Sequence, residues 1–538
     1  MAIYGEGAFG AYEKENLELL GRRRIYTDAG EITEENVIPV LQSALIIHEQ
    51  NRQEIIYLTR YEKGIQPLKR KKVIRDDINV VVADNIANQV VEFKVGYEWG
   101  NPITFVQKND KRTEEGSVSA ADDTAITLLN SYNDMEVSFA KDQKLARSVL
   151  ITGLGFQMVD IRRDYVEGEC PFELNTLDPA YTFIVYRNDI RETKMMSVTY
   201  RELEDGTRYF TCITKDKWFE IADEVKIVNG VKTEEWVFGD RSGEANPLGR
   251  VPVCECQRSY DRLGVFERQI PDMDALNIEV SDFANATAQA TQEIWWMNDA
   301  DFPIDPVTGK KESPKTGQWV KTKTAPNGNR PMIQALGSNF NYEGVQENII
   351  TKRNTILQKC YVPLQSEPGG GSTASAMSMS AGWAAAEAVA MAEENITKAF
   401  KMEIAALELI AIRKSPFVSV DNPLKTLSLS DIEPKFTRQK TFDLGTKVNS
   451  MVTMIKNGIN GRIAMETVDL FPDVAKAWED SRKTIEQYQT VLFTAEKPNT
   501  SSNIDNDRIM SDLTDQNVNS PLLDGARTGA DYSKGGEI

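Results

Sequence analysis

The clearest periodicity in the chain lies between Phe266 and Trp296. Met273, Leu276, Val280, Phe283, Thr287, Ala290 and Ile294 recur at alternating steps of three and four. That spacing predicts a helix with one narrow buried seam, of the kind that packs side by side with another helix. Pro271 suits a first-turn position, where its missing N–H has no partner to lose, and Asp272 and Asp274 favour the positive end of the helix dipole. After a Pro/Gly/Lys-rich excursion the chain returns as NYEGVQENIITKRNTILQKCYVP, with a thinner stripe of Val345, Ile349, Lys352, Ile356 and Lys359. The pattern predicts a spoke of two long helices, with a loop at its far end and the glycine run of SEPGGGSTASAM at its near end. So little apolar surface favours packing against copies of itself, although an ordinary helical hairpin inside a globular domain would show the same spacing.

Residues 33–60 read as a helix capped by Thr33, with Val37, Leu41, Leu45, Ile46 and Ile56 on its apolar side. The single histidine, His48, sits among polar neighbours there and is expected to face solvent. The basic run Lys69–Lys72 with Arg75 reads as a solvated loop. A second helix carries Val82, Ile86, Val90 and Phe93 and is expected to end at Gly96, and residues 124–152 read as a further helical stretch. From Gly155 to Cys256 the pattern changes to short alternating runs punctuated by Asp205-Gly206 and Asn229-Gly230, which predicts an antiparallel β region built from hairpins.

Beyond the glycine run, residues 374–413 predict a long alanine-rich helix with Ile396, Phe400, Ile404, Leu407 and Ala411 on one face and Ser415-Pro416 at its end. Residues 431–494 read as helices broken at Gly458 and Gly461 and restarted near Phe471-Pro472. From Ala495 onward the chain is Asn, Ser, Asp and Gly with few apolar residues, too little to bury, so a flexible tail is expected.

Composition narrows the function classes. With 41% apolar and 27% charged residues over 538 positions, the chain has the make-up of a large soluble globular protein. No apolar run approaches the roughly 20 residues needed to span a bilayer, and the start, MAIYGEGAFGAYEKEN, carries no signal pattern, so the cytosol is expected. The five cysteines are scattered, and Cys254-x-Cys256 falls in a predicted strand, where buried thiols are expected and metal ligands are not. A net charge of −19 argues against a broad grip on nucleic acid, which needs clustered Lys and Arg, but suits a protein that must avoid sticking to phosphates.

Catalytic constellations are missing. GGGST at 369–373 lacks the lysine of a phosphate-cradling loop, and there is no GxSxG, HExxH or paired Cys-x-x-Cys. One histidine leaves no room for a Ser-His-Asp mechanism, and nothing calls for a cofactor or a metal. The glycine run therefore reads either as a plain linker or as a loop that lets a ligand pass closely. The excursion between the spoke helices is its most basic part, with Lys310, Lys311, Lys315, Lys321, Lys323 and Arg330.

YEKGIQPL (61–68), the DDIN…NIANQVVEFKVGYEWGNPI segment (76–103), NPLGRVPV (246–253) and YDRLGVFERQIPDMDALN (260–277) resemble, in this order, the recurring phrases of portal proteins of tailed double-stranded DNA bacteriophages, especially siphoviruses of Gram-positive hosts. The resemblance spans about residues 35–490. It implies an α+β, mostly helical portal fold: a wing with an antiparallel β region (1–265), a stem helix (266–297), a clip (298–335), a second stem helix (336–363), a tunnel loop (364–376), a long wing helix with its return segment (377–436), a helical crown (437–494) and the tail (495–538). It implies a homo-oligomeric ring of typically about twelve subunits at one capsid vertex of the virion, assembled in the host cytoplasm, with double-stranded DNA passing through for packaging and ejection. Implied partners are the terminase large subunit, head-completion or adaptor proteins, and the major capsid and scaffolding proteins, with no membrane. Pro368, Gly369, Gly370, Gly371, Ser372 and Thr373 would then face DNA, the six basic residues named above would belong to the clip, and the seam from Met273 to Ile294 would join neighbouring stems. Another virion structural protein, a capsid or adaptor subunit, is the alternative; a packaging enzyme would need a phosphate loop or an acid triad.

Overall fold

The computed structural model describes residues 21–68, 79–108, 120–166, 168–228, 231–290, 294–298, 332–336, 341–364, 382–438 and 444–468, with a few positions between 471 and 484. In chain order these hold β1 (Ile25–Thr27), α1 (Val37–Glu62), α2 (Ile86–Glu98), β2 (Thr104–Gln107), α3 (Ala120–Met135), α4 (Ser138–Thr152) and strands β3 (Leu154–Ile161), β4 (Phe172–Leu177), β5 (Thr182–Arg187), β6 (Lys194–Glu202), β7 (Arg208–Thr214), β8 (Trp218–Val228), β9 (Val231–Phe238) and β10 (Val253–Gln257). Then follow α5 (Ile270–Ala290), β11 (Ile294–Asn298), β12 (Met332–Leu336), α6 (Tyr342–Lys359), α7 (Trp383–Lys414), β13 (Ile432–Lys435), α8 (Leu444–Lys456) and α9 (Gly461–Val468).

The alternating runs form a six-stranded sheet in the order β1-β5-β6-β7-β8-β9 and a three-stranded sheet in the order β10-β3-β4. Pairing is antiparallel apart from β1, which lies parallel to β5 with Ile25 opposite Val185. Gly206, at φ +91°, makes the turn from β6 to β7 that only a residue without Cβ enters freely. Helix α1 covers the large sheet through Val37, Leu41 and Ala44 on Phe183, Val198, Phe210 and Phe219.

A second core forms where α7 and α4 sit on the small sheet, with Leu145, Phe172, Leu174, Phe400 and Ile404 at its centre. A third joins α1 and α2 to the base of the spoke through Tyr61, Val90, Phe266, Leu276 and Leu357. Two glycines let backbone cross backbone between these cores. A Cβ on Gly153 would lie 2.3 Å from the Arg262 carbonyl oxygen, and one on Gly264 would lie 2.2 Å from that of Ile151.

Several expectations need correction. His48 is buried, not solvent-facing: its ring packs 4.4 Å from Phe183 and its Nε2 lies 3.2 Å from the Ala180 carbonyl. It sits two turns beyond Leu41 on the face that meets the sheet, so helix position outweighs its polar neighbours. Burial pushes its pKa down to about 4, so it is a neutral core residue at pH 7. Helix α1 starts at Val37, because Asn36 folds back on the Thr33 N–H at 2.7 Å and closes a turn first.

Helix α2 runs through Gly96 to Glu98, and Val82 lies in the extended segment ahead of it. The stretch 124–152 is two helices, broken at Val137 with φ +53°. No Gly or Pro marks that break; the neighbouring Glu136 carboxylate gathers Lys141, Arg162 and the Leu174 N–H there. Ile432–Lys435 is a strand paired with β2, not part of a helix. Asn229-Gly230 and the tail fall outside the described residues.

Candidate functional site

The spoke is present as α5 and α6 lying side by side. Lys352 and Asn348 both reach the Glu279 carboxylate, Lys359 Nζ meets Asp272 at 2.6 Å, and the Phe283 ring stands edge-on to Tyr342 with centroids 6.1 Å apart. Beyond the helices the hairpin continues as a two-stranded ribbon, β11 with β12, Ile294 opposite Leu336 and Asn298 opposite Met332. The hairpin is therefore helical at its base and β-ribbon above.

One face of α5 is bound by an extended chain. Asn277, Ser281 and Asn285, spaced by four, are all buried and point at residues 80–84. The Val80 amide donates to Asn285 Oδ1 at 2.8 Å, Val82 to Ser281 Oγ at 3.0 Å and Asp84 to Asn277 Oδ1 at 2.8 Å. In return Asn285 Nδ2 donates to the Val80 carbonyl at 3.0 Å. Four helical residues advance about 6.0 Å and two extended ones about 6.6 Å, so each rung of side chain meets every second amide. The segment is read by its backbone, as if α5 were a neighbouring strand. Sequence reasoning followed the apolar seam and missed this stripe, although its i, i+4, i+8 spacing is visible in the letters.

The predicted seam divides. Met273 and Leu276 are buried in this chain's own core against Tyr61, Phe266 and Ile356, and so are not free to join a neighbour's stem. Val280 and Phe283 are half-buried, Thr287 is exposed with its hydroxyl on the Phe283 carbonyl, and Ala290 is the last helical residue. Ile294 is not on the helix; it opens β11, where a β-branched residue followed by Trp295 and Trp296 favours the ribbon over another helical turn. On the outer sides, Ile278 and Ile350 are each about half exposed.

Buried ionisable groups elsewhere are structural in their settings. All five cysteines are free and buried, and burial pushes the Cys170 and Cys360 thiols up to about 12. Asp142 holds Lys401 at 2.5 Å inside the second core, and Glu408 beside them accepts from Asn133 at 3.3 Å. Burial raises the Glu408 carboxyl to about 7, only partly offset by Lys401. Among the described residues no group of three or more His, Cys, Asp and Glu is placed to hold a metal.

A family model described as phage portal protein, SPP1 Gp6-like, matches residues 43–491. The chain belongs to that portal family. The match runs through both sheets, the spoke and α7, the region carrying the phrases that first suggested it. Among solved structures the chain is similar to one titled "Neck of empty GTA particle computed with C6 symmetry", at 12% identity and a TM-score of 0.37, covering 78% of this chain and 94% of that one. A comparison with curated proteins returns no match. For this portal family member, the α+β class stands, with helices in the majority. The candidate tunnel-loop residues Pro368, Gly369, Gly370, Gly371, Ser372 and Thr373, and the candidate clip residues Lys310, Lys311, Lys315, Lys321, Lys323 and Arg330, lie outside the described residues. No helix among the described residues is long and apolar enough to cross a membrane.

Proposed function

We propose that copies of this chain close into a ring at one capsid vertex, through which genomic DNA is packaged and later ejected, and on which the terminase motor and then head-completion proteins dock. The observation that carries this reading is the portal family match over residues 43–491. The spoke supports it, since α5–α6 is a stem with little apolar surface of its own, continued by a ribbon toward the basic clip segment. In this reading the glycine-rich 364–376 stretch lines the passage, residues 437–494 form the crown, and translocation is powered by the partner motor. A chain of net charge −19 presents DNA with a wall that repels phosphates, which favours sliding over capture.

With Met273 and Leu276 committed to the core, the stem-to-stem contact falls to the outward Ile278 and Ile350, flanked by Val280 and Phe283. A head-to-tail contact of this kind closes at whatever count its rotation dictates. The test is the mass of the purified protein by light scattering, followed by negative-stain images. A ring of about a dozen copies with a central hole, lost in Ile278→Asp while the monomer stays folded, is the expected result. Intact rings from that variant would remove the stem contact, and robust DNA cleavage or ATP hydrolysis by the purified chain would overturn the whole reading.

A further inference from the structure

Helix α7 is held in two different ways along its length. From Phe400 to Ile412 it presents Phe400, Ile404, Leu407, Ala411 and Ile412 to the core it shares with the three-stranded sheet. From Trp383 to Lys398 the buried apolar side chains of the helix are Ala386 and Ala390, with the Trp383 ring resting edge-on against Phe93 and Tyr97 at 5.9 and 5.7 Å. The other side-chain contacts that tie this half to the body are mostly ionic. Arg438 bridges Glu387, at 2.7 Å, and Glu394, two turns further on. Arg258 meets Glu393 at 2.7 Å, Lys94 lies between Glu393 at 3.6 Å and Glu98 at 2.9 Å, and the Tyr97 hydroxyl donates to Glu387.

The cations belong to the body and the carboxylates mostly to the helix. Arg438 is fixed from behind: Phe436 stands edge-on to Trp99 at 6.3 Å, and the Thr437 carbonyl accepts from Asn101 Nδ2 at 2.7 Å. A narrow crevice lined by Glu98, Arg258, Ala390, Glu393, Glu394 and Arg438 separates the two.

The two halves should therefore open at different free energies. Apolar burial is lost outright when a helix lifts off, whereas paired ions that separate regain their hydration, so that a buried ion pair is close to break-even. We propose that Trp383–Lys398 is a detachable arm, clasped by Arg438, Arg258 and Lys94, which lifts away as a unit while Phe400–Ile412 stays docked. The proposal concerns the chain itself and stands whether or not the ring reading holds.

Hydrogen exchange of the full-length protein, read by mass spectrometry on peptides covering 383–398 and 400–412, tests it. In Arg438→Gln, two carboxylates lose their shared partner, and the arm should exchange about tenfold faster or more while the 400–412 peptide is unchanged. Glu387→Gln with Glu394→Gln, which keeps Arg438, should give the same one-sided acceleration, and Arg438→Lys should restore part of the protection. Equal acceleration of both peptides, no acceleration of either, or loss of the folded state in both variants would show that α7 opens only as a whole and would overturn the proposal.

Discussion

Replacing Ser281 by Ala removes the middle rung of the polar ladder without changing the shape of α5. The hydroxyl accepts the Val82 amide at 3.0 Å, and its single hydrogen is shared between the Val82 carbonyl at 3.2 Å and the Asn277 carbonyl at 2.7 Å. The variant therefore loses one bond to Val82 for certain and part of a second. At roughly 0.5–1.5 kcal/mol net per bond, the local cost is about 1–2 kcal/mol. With a factor of ten for every 1.36 kcal/mol, the Val82 amide should exchange roughly 5- to 30-fold faster. Val80 and Asp84 keep their own rungs on Asn285 and Asn277 and should change much less.

The wild type should already show an alternation in this segment, with Val80, Val82 and Asp84 protected and Val81 and Ala83 exchanging freely. Residue-resolved exchange by fragmentation mass spectrometry reads both patterns. Uniform protection across 80–84 in the wild type, or a Ser281→Ala effect spread evenly over the segment, would refute the ladder as what holds it.

Three further outcomes follow from the buried groups and crossings. Glu408 keeps its proton in the folded chain up to about pH 7 but releases it near 4.5 when unfolded, so its burial lowers stability progressively as pH rises from 4.5 to 7, by up to about 3 kcal/mol; Glu408→Gln should unfold at higher denaturant than wild type at pH 8 and lose that slope. His48 acts in the opposite sense: the unfolded chain protonates it near 6.5 and the folded one only near 4, so stability is full above 6.5 and falls by up to about 3 kcal/mol on the way to pH 4. In His48→Phe, urea titrations from pH 7 to 4 should show that acid loss flattened. Gly264→Ala places a Cβ 2.2 Å from the Ile151 carbonyl and should cost about 2–3 kcal/mol in the same titrations, whereas Gly243→Ala meets no neighbouring atom and tests only backbone conformation.

What was legible in the letters was whatever repeats with a period. The spoke helices, the long helix from Trp383 and the alternating strands after Gly155 carry their own signals, and the family phrases run along the same segments. What was illegible depended on a partner far off in the chain. Ile432–Lys435 is a strand only because Thr104–Gln107 pairs with it, and His48 is buried only because α1 lies over a sheet built from residues more than a hundred positions later. The split of the seam has the same origin. Apolar spacing on α5 marks a buried stripe, but whether its cover is a neighbouring copy or this chain's own Tyr61, Phe266 and Ile356 is settled by packing, and Met273 and Leu276 went to the latter. At Ile294 a local preference for strand ended the helix that the spacing had carried on.

The pairing of β2 with β13 also sets a clock on synthesis. Asn101, just before β2, bonds to Thr437 across 336 residues, and the buried Arg22 waits for Glu267 across 245. At roughly 5–20 residues per second on the ribosome, the first of these partners emerges on the order of 15–70 s after the other. Through that interval the α2–β2 region has made its local helix but lacks the strand that completes it. The β2 region thus completes its pairing only after Ile432–Lys435 has been made, and until then the unpaired edge of β2 leaves the nascent chain open to joining the wrong strand.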